Sequence, residues 1–357
     1  MLGLIWHFLT TGSISLEFYR KITSDLLFNV PIPNTSGFGS ITRNVGTVLF
    51  WGLEGSVSSV VINNKNFAWN LGANISYNLN KVLKLPDNGQ DKNRIGGLSF
   101  SDTPEYGVGG IAEGERMYGV IGYTVEKILD TGEEAQSARY DERAAGWDPE
   151  TKTYIRGRKI AGDYEWMDRN NDDKVTEIDQ EVLGYLVPTT TGGFNTNTRY
   201  KNFEFYALFD YAMGHVIYDR QISYLMGLND DGFLLPTTDI LDTWRETGDA
   251  EKVRYARVDM SDGAATGQWN HMRTSNMNVF KGDYLALREV KVSYNIPTSI
   301  SNKLNIKSMN LYLAGKNLYY FTAYPGYTTE YSGSSRNSSD SNYPLPQIYS
   351  IGAQIVF

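Results

Sequence analysis

Apolar and polar residues alternate along several stretches of this chain, most clearly between positions 67 and 80. One face of that stretch carries asparagine, glycine and serine, and the other is apolar and aromatic. The apolar face comprises Phe67, Trp69, Leu71, Ala73, Ile75, Tyr77 and Leu79. Because successive side chains of a strand point to opposite faces, a period of two predicts a strand with one apolar face. Its length suits a tilted strand that crosses a bilayer, which needs about 9–11 residues.

The same alternation recurs along the chain and predicts nine strands in one antiparallel sheet. The predicted strands are 1–9, 13–28, 47–62, 67–84, 193–201, 203–219, 284–296, 308–322 and 344–357. Leu287 and Val290 interrupt the alternation, which predicts a bulge at Arg288–Glu289. Seven apolar side chains should then face lipid: Trp69, Leu71, Ile75, Phe205, Phe209, Ile351 and Ile355.

Short and long connections alternate between these strands. Outer-membrane barrels have short periplasmic turns and long outer loops, so this asymmetry assigns a direction to each strand. Segments 86–192 and 220–283 are predicted extracellular loops, and 323–342 is a third long connection. The apolar stretch 116–129 must belong to the first loop, because a crossing there would leave the strand at 193–201 with the wrong direction.

Composition supports an all-β membrane protein. Aromatic residues make up 13% of the 357 residues, and 35 are glycine. No stretch of about 20 apolar residues is present, so strands and not helices would cross the membrane. The net charge of −8 and the scattered Lys and Arg residues argue against nucleic-acid binding. A soluble β-sandwich also shows alternation, but its outer face should be charged.

One acidic segment, 168–179, has the ligand spacing of a calcium loop. The side chains of Asp168, Asn170, Asp172, Thr176 and Asp179 and the carbonyl of Lys174 would supply the oxygens. Two departures weaken the match: Asp173 stands where the turn usually has glycine, and Asp179 replaces the longer glutamate. Ca²⁺ binding and a plain turn rich in Asp and Asn both remain open.

Catalytic chemistry has no visible basis in the sequence. The three histidines, His7, His215 and His271, lie in separate segments without a paired carboxylate or cysteine at ligand spacing. No nucleophile-elbow or phosphate-loop motif is present in a suitable context. The chain is therefore predicted not to be an enzyme. Aromatic residues in the long connections would either pack these loops together or stack on sugars: Trp147, Trp166, Trp244, Trp269, Tyr324, Tyr327 and Tyr331.

Five segments resemble the C-terminal half of SusC/RagA-type TonB-linked outer-membrane proteins of Bacteroidetes, and they occur in the family's order. They are Asp25–Phe38 (DLLFNVPIPNTSGF), Gly162–Asp172 (GDYEWMDRNND), Gly192–Phe203 (GGFNTNTRYKNF), Tyr284–Val290 (YLALREV) and Gly315–Thr322 (GKNLYYFT). The resemblance implies that residues 1–357 form the C-terminal part of a plugged, transmembrane antiparallel β-barrel of roughly 22 strands. It also implies a location in the cell outer membrane.

The resemblance further implies TonB-driven import of glycans or peptides, with a SusD-like surface lipoprotein as the extracellular lid. The family's plug and TonB box would precede Met1, so the chain is expected to be a fragment that is inactive alone. An alternative reading is a self-contained β-rich module that binds carbohydrate with calcium, or an adhesive protein. A plug and TonB box encoded upstream would favour the transporter.

Overall fold

The computed structural model describes residues 2–8, 11–31, 37, 40–88, 91–95, 108–148, 150, 152–219, 222, 226, 237–258, 270–271, 273–326, 329–330 and 345–357. Nine strands form one antiparallel sheet whose spatial order follows the chain order. They are β1 (Leu2–Phe8), β2 (Gly12–Pro31), β3 (Ser40–Asn63), β4 (Phe67–Lys84), β5 (Thr190–Tyr200), β6 (Phe203–Met213), β7 (Tyr284–Asn295), β8 (Ser308–Thr322) and β9 (Ile348–Val356).

All nine predicted strands are confirmed, with differences at their ends. β4 and β8 have the predicted bounds, whereas the hairpin of β2 and β3 is longer than predicted. The predicted strand 203–219 was wrong beyond Met213, where Gly214 adopts a φ of 79° and turns the chain out of the sheet. Residues Val216–Tyr218 then pair with Val279–Lys281 in a separate ribbon.

The predicted bulge is also confirmed. Glu289 lies opposite Leu208, and Leu287 lies opposite Phe209, so Arg288 is the extra residue of β7. The same irregularity appears in the pairing of β7 with β8. A bulge re-aims the inserted side chain, and this one places Arg288 beside Asp210.

The sheet has an apolar face that is exposed, as the lipid-facing prediction requires. Five of the seven predicted side chains are exposed: Leu71, Ile75, Phe205, Ile351 and Ile355. Trp69 and Phe209 are half-buried because they pack against neighbours on the same face. The indole Nε1 of Trp69 donates to Thr196 Oγ1 at 3.0 Å, and Phe209 stacks on Phe194 at 4.7 Å. None of the seven lies in a closed interior between two sheets.

The connections between β4 and β5 and between β6 and β7 fold against each other. We call residues 108–148, 152–188, 237–258, 270–271 and 273–282 the loop assembly. Its strands are Val108–Gly110, Gly119–Gly122, Val125–Ile128, Tyr140–Asp141, Ala145–Asp148, Thr153–Arg156, Tyr164–Trp166, Lys174–Val175, Glu181–Tyr185 and Val279–Lys281. The stretch predicted not to span, 116–129, lies in these small sheets and outside the nine-stranded sheet.

Helices are few and short. Among the elements whose bounds the structure describes, the α-helices are α1 (Gly132–Gln136) and α2 (Thr298–Ser301), and 3₁₀ turns cover Asp91–Asn93, Glu177–Asp179, Thr238–Asp242 and Asn302–Leu304. In the part of the chain that the structure describes, no helix has the length and apolar character to cross a membrane.

Three buried apolar clusters stabilise the loop assembly and its junction with the sheet. The first contains Tyr123, Tyr164, Trp166, Val175 and Ala256. The second joins the ends of β3 and β4 to the assembly through Val48, Val82, Leu85 and Ile111. The third contains Val120, Leu186 and Tyr218. These three buried clusters therefore lie at the end of the sheet that carries the loop assembly.

Candidate functional site

The polar face of the sheet carries amides and hydroxyls that hydrogen-bond across strands. Tyr19 donates its hydroxyl to Asn78 Oδ1 at 2.6 Å, and the hydroxyls of Ser15 and Ser56 lie 2.7 Å apart. Asn197 lies opposite Asn70 in the β5–β4 register. These groups offer donors and acceptors to polar molecules with little net charge, as the lining of a polar channel would.

An ion cluster lies on this face where β6, β7 and β8 approach the loops. Arg288 forms a bidentate ion pair with Asp210 and also binds Glu330. Its Nη1 donates to the Tyr320 hydroxyl at 2.5 Å. The cluster attaches the connection after β8, which contains Glu330, to the polar face of the sheet.

Glu330 accepts three different donors. Tyr320 and Tyr284 donate their hydroxyls to it at 2.7 and 2.8 Å, and Arg288 supplies the third contact. Burial acts to raise the pKa of the Glu330 carboxyl, but these hydrogen bonds outweigh burial and lower it. The Glu330 carboxylate is therefore ionised, and its three donors compensate its negative charge.

A cavity of about 300 Å³ adjoins the cluster. Its lining residues are Leu186, Pro188, Ala212, His215, Val216, Ile217, Tyr284, Thr329 and Glu330. Two of them are buried and polar: His215 is 9% exposed and Thr329 is 6% exposed. Within the part of the chain that the structure describes, neither His215 Nδ1 nor Thr329 Oγ1 has a hydrogen-bond partner. Burial lowers the pKa of His215, with Asp283 opposing this, so the imidazole is neutral at pH 7.

The two long connections are joined by buried charges. Asp163 binds Arg257 at 2.7 Å and accepts from Asn270 Nδ2 at 3.0 Å. Arg273 Nη2 donates to both carboxylate oxygens of Asp141 at 2.8 Å, and both side chains are 1% exposed. Burial raises the pKa of the Asp163 carboxyl, although Arg257 opposes that effect. These pairs hold segments that are more than 90 residues apart in sequence.

The loop aromatics that the structure describes pack the assembly together. Trp166 is 1% exposed and lies 5.4 Å from Tyr164, with the Arg273 guanidinium 5.0 Å from its ring. Trp244 donates its Nε1 to Asp130 at 2.9 Å, and Tyr324 donates its hydroxyl to Asp219 at 2.7 Å. The packing interpretation is confirmed for these three aromatics, Trp166, Trp244 and Tyr324. The side chains of Trp147, Trp269, Tyr327 and Tyr331 lie outside the described residues.

The acidic loop forms one hydrogen-bonded turn. Asp168 accepts backbone N–H groups from Asn171, Asp172 and Asp173 at 2.7–3.4 Å. Asp173 adopts the left-handed conformation, with a φ of 61°, that the calcium-loop spacing requires at its position. Asn170 Nδ2 donates to Asp172 Oδ2 at 3.0 Å, so the first three predicted ligands lie together.

The remaining predicted ligands complete the turn. Asp179 is buried, accepts the Arg169 and Thr176 backbone N–H groups, and forms a capping box with Thr176. The backbone N–H of Lys174 donates to Asp172 Oδ1 at 3.0 Å. Arg139 Nε lies 3.9 Å from Asp168 Oδ2 and supplies a positive charge there. Among the described residues, no group of three or more His, Asp or Glu side chains has a metal-site arrangement. Calcium binding stays a prediction.

The sequence did not predict the cavity or the partners in the ion cluster. Their residues come from segments near 186, 212, 284 and 329, and only the folded sheet brings these together. The bulge at Arg288 was the one local signal, because a bulged charged residue is often re-aimed for a purpose. Of the histidines, His215 lines the cavity and His271 lies in the loop core, where its Nε2–H donates to the Ala256 and Arg257 carbonyls.

Several TonB-dependent receptors have sequences similar to this chain. No model of a protein family matches the chain. The TonB-dependent receptor P3 of Formosa agariphila is 27% identical over 357 residues, which cover 96% of this chain and 32% of the receptor. The receptor P39 of the same organism is 27% identical over 332 residues, 89% of this chain and 31% of that protein. The TonB-dependent receptor SusC of Bacteroides thetaiotaomicron is 39% identical over 87 residues, 23% of this chain and 8% of SusC.

Solved structures show the same fold. A chain of the RagAB peptide transporter superposes with a TM-score of 0.70 at 20% identity, covering 97% of this chain and 33% of that chain. The RagAB peptide importer in its open-open state gives 0.68 at 22% identity, with the same coverage. This chain spans about one third of the length of these relatives. The chain is therefore similar in sequence to TonB-dependent receptors that include SusC, and its nine strands have the fold of part of the wall of a transmembrane β-barrel.

Proposed function

We propose that this chain is part of a TonB-dependent transporter that imports oligosaccharides or peptides across the outer membrane. The observation that carries the proposal is the pair of faces on the nine-stranded sheet. The exposed apolar face suits lipid, and the polar face suits a hydrated channel. The relatives support the same role, since SusC is named a TonB-dependent receptor and RagAB a peptide transporter.

The proposal includes a SusD-like surface lipoprotein as a lid over the outer mouth. The family resemblance implies this partner, and RagAB is described as an importer with closed-closed and open-open states. The lid would lie on the end of the sheet that carries the loop assembly, which we propose is extracellular. TonB would act through segments that the relatives have and that this chain does not span.

A non-catalytic role is part of the proposal, because the relatives are named as receptors and transporters. Both cargo classes remain candidates. The exposed apolar sheet face argues against the alternative of a self-contained calcium-dependent module. An exposed apolar sheet face of this size would be a liability in water.

Uptake in cells tests the proposal. The coding region for residues 1–357 is deleted in the source organism, and uptake of fluorescent oligosaccharides and peptides is measured with and without collapse of the proton gradient. We expect uptake of at least one cargo to be lost on deletion, restored by the intact sequence, and abolished by an uncoupler. Co-purification of a lipoprotein with the tagged chain tests the lid. Unchanged uptake of every cargo after deletion would contradict the proposal.

A further inference from the structure

The cavity beside the ion cluster contains two polar atoms that a folded protein normally satisfies. Buried donors and acceptors are almost always hydrogen-bonded, and each exception requires an explanation. His215 Nδ1 and Thr329 Oγ1 both line this cavity and have no partner. Leaving each buried group unpaired destabilises the fold. A bound molecule that pairs with both groups would remove that cost.

Charge around the cavity favours a neutral ligand. Among the described lining residues Glu330 alone is charged, and it already accepts from Arg288, Tyr284 and Tyr320. The imidazole of His215 is neutral because burial lowers its pKa. A ligand with a net charge would therefore be desolvated without a counter-charge.

The rest of the lining is apolar and small. Leu186, Pro188, Ala212, Val216 and Ile217 form most of the surface, with the ring of Tyr284 beside them. The volume of about 300 Å³ is at the lower end of ligand sites, which measure about 300–1,000 Å³. A pyranose ring fits this combination, because it presents C–H groups on its face and hydroxyls at its rim.

The cavity also lies where a cargo would pass. Ala212 and Tyr284 lie opposite each other in the β6–β7 register, on the polar face that carries Asp210. Three different connections, near residues 186, 215 and 329, close the cavity at the end of the sheet. A molecule entering between the loops would meet this cavity before it reached the polar wall.

We propose that this cavity is a cargo subsite that binds one neutral, hydroxyl-bearing sugar ring, with His215 Nδ1 and Thr329 Oγ1 as its hydrogen-bond partners. The inference rests on the proposed import function and assigns an oligosaccharide as the cargo class. A sugar hydroxyl both donates and accepts, so it pairs with a threonine hydroxyl and with an imidazole of either tautomer.

Binding to the full chain in detergent tests the subsite. The probes are methyl β-glucopyranoside and, for a peptide group, N-acetylglycinamide. For a ligand of this size a millimolar dissociation constant is expected. We expect the glucoside to bind and to shift the ¹⁵N resonances of His215. The resonances of His271, which lies in the loop core, should not move.

The variant Thr329→Val separates a binding role from a structural one. Valine has the shape of threonine, so removing an unpaired hydroxyl should leave thermal stability equal or higher. Affinity for the glucoside should fall roughly threefold to tenfold, the value of one net hydrogen bond. The matched control is Thr298→Val in the exposed first turn of α2, which should bind like the unmodified chain.

Three results would overturn the subsite: no binding of the glucoside, preference for N-acetylglycinamide, or unchanged affinity in Thr329→Val. These results are independent of the uptake experiment. A chain that imports cargo but does not bind the glucoside refutes the subsite alone. If the chain binds the glucoside but cells still take up every cargo after the deletion, only the import proposal is refuted.

Discussion

The nine-stranded sheet and the loop assembly differ in whether their apolar side chains are exposed or buried. The sheet leaves large apolar side chains such as Leu71, Ile75 and Phe205 exposed, and its strands pair through continuous backbone ladders. The loop assembly buries its apolar side chains, with Trp166 and Val175 at 1% exposure. Lipid offers no hydrogen bonds, so backbone pairing is obligatory in the sheet. Water drives apolar burial in the loops.

The two regions also differ in how they accommodate polar and charged side chains. On the polar face of the sheet the short side chains are mainly amides and hydroxyls, and they bond to one another. The loop assembly buries full charges that are compensated by an ion pair, as for Arg273 with Asp141, or by backbone hydrogen bonds, as for Asp179. Burying a charge in either region without a partner should therefore be severe, whereas a charge on the water-facing side should be tolerated. The following predictions test that contrast.

The largest expected effect is in the loop assembly. Arg273→Ala would leave Asp141 buried and unpaired, which costs about 3–5 kcal/mol. We expect the assembly to become sensitive to limited proteolysis while the far-ultraviolet circular dichroism of the strands persists. The control is Lys252→Ala, because the Lys252 side chain is 71% exposed and its ammonium lies 3.9 Å from Asp249 Oδ1. Equal protease resistance of the two variants would show that the buried pair does not hold the assembly.

The second prediction concerns the sheet. Ile75→Lys places a charge on the lipid face, which costs about 2–4 kcal/mol near the bilayer midplane. Asn74→Lys is the matched control, because Asn74 is the adjacent residue on the polar face. We expect membrane insertion, measured by urea extraction of membranes, to fall for Ile75→Lys and to hold for Asn74→Lys. The reverse order would mean that the faces have been assigned the wrong way round.

The third prediction is a pH dependence confined to the loop assembly. Burial lowers the pKa of His271 to about 4, although its hydrogen bonds to Arg257 and Ala256 oppose this. The unfolded histidine takes up its proton at about 6.5, so it binds more protons than the folded one below that pH. Stability is full above about pH 6.5 and falls as the pH drops toward 4, by at most about 3 kcal/mol.

Proteolysis of the assembly across this pH range measures the effect. His271→Phe keeps a ring next to Tyr164, which lies 5.8 Å away, and removes the titrating group. The variant should have a flatter pH profile between 6.5 and 4 than the unmodified chain. Identical profiles would show that His271 does not contribute to the acid sensitivity.

The smallest expected effect concerns calcium. If the 168–179 turn binds Ca²⁺, the ion should raise the thermal midpoint of the loop assembly by a few degrees, and EDTA should reverse the change. Asp168→Ala with Asp172→Ala should remove the calcium-dependent increment. The hydrogen bonds of Asp168 to the turn would also be lost, so only the difference between calcium and EDTA is informative. No increment in the unmodified chain would leave the segment as a plain turn.

Sequence patterns predicted the structural features that depend on residues close together in the sequence. A period of two was enough for all nine strands, and the broken alternation at Leu287 and Val290 located the bulge. The strand end at Gly214 was missed, because residues 216–219 continue the alternation and the separate pairing of Val216–Tyr218 is a tertiary effect. The left-handed Asp173 followed from loop spacing alone. Residues that are distant in sequence but line one cavity, such as Thr329 and His215, cannot be recognised from a local sequence pattern.

The central claim is that the apolar face of the sheet contacts lipid, and spin labels along β4 test it most directly. The chain contains no cysteine, so single cysteines at each position from 70 to 77 can be labelled without background. In membranes, labels at 71, 73, 75 and 77 should be accessible to oxygen, and labels at 70, 72, 74 and 76 to a water-soluble nickel chelate. The account predicts this alternation with a period of two. Odd positions shielded from both reagents would place the apolar face in a closed protein core and contradict the account.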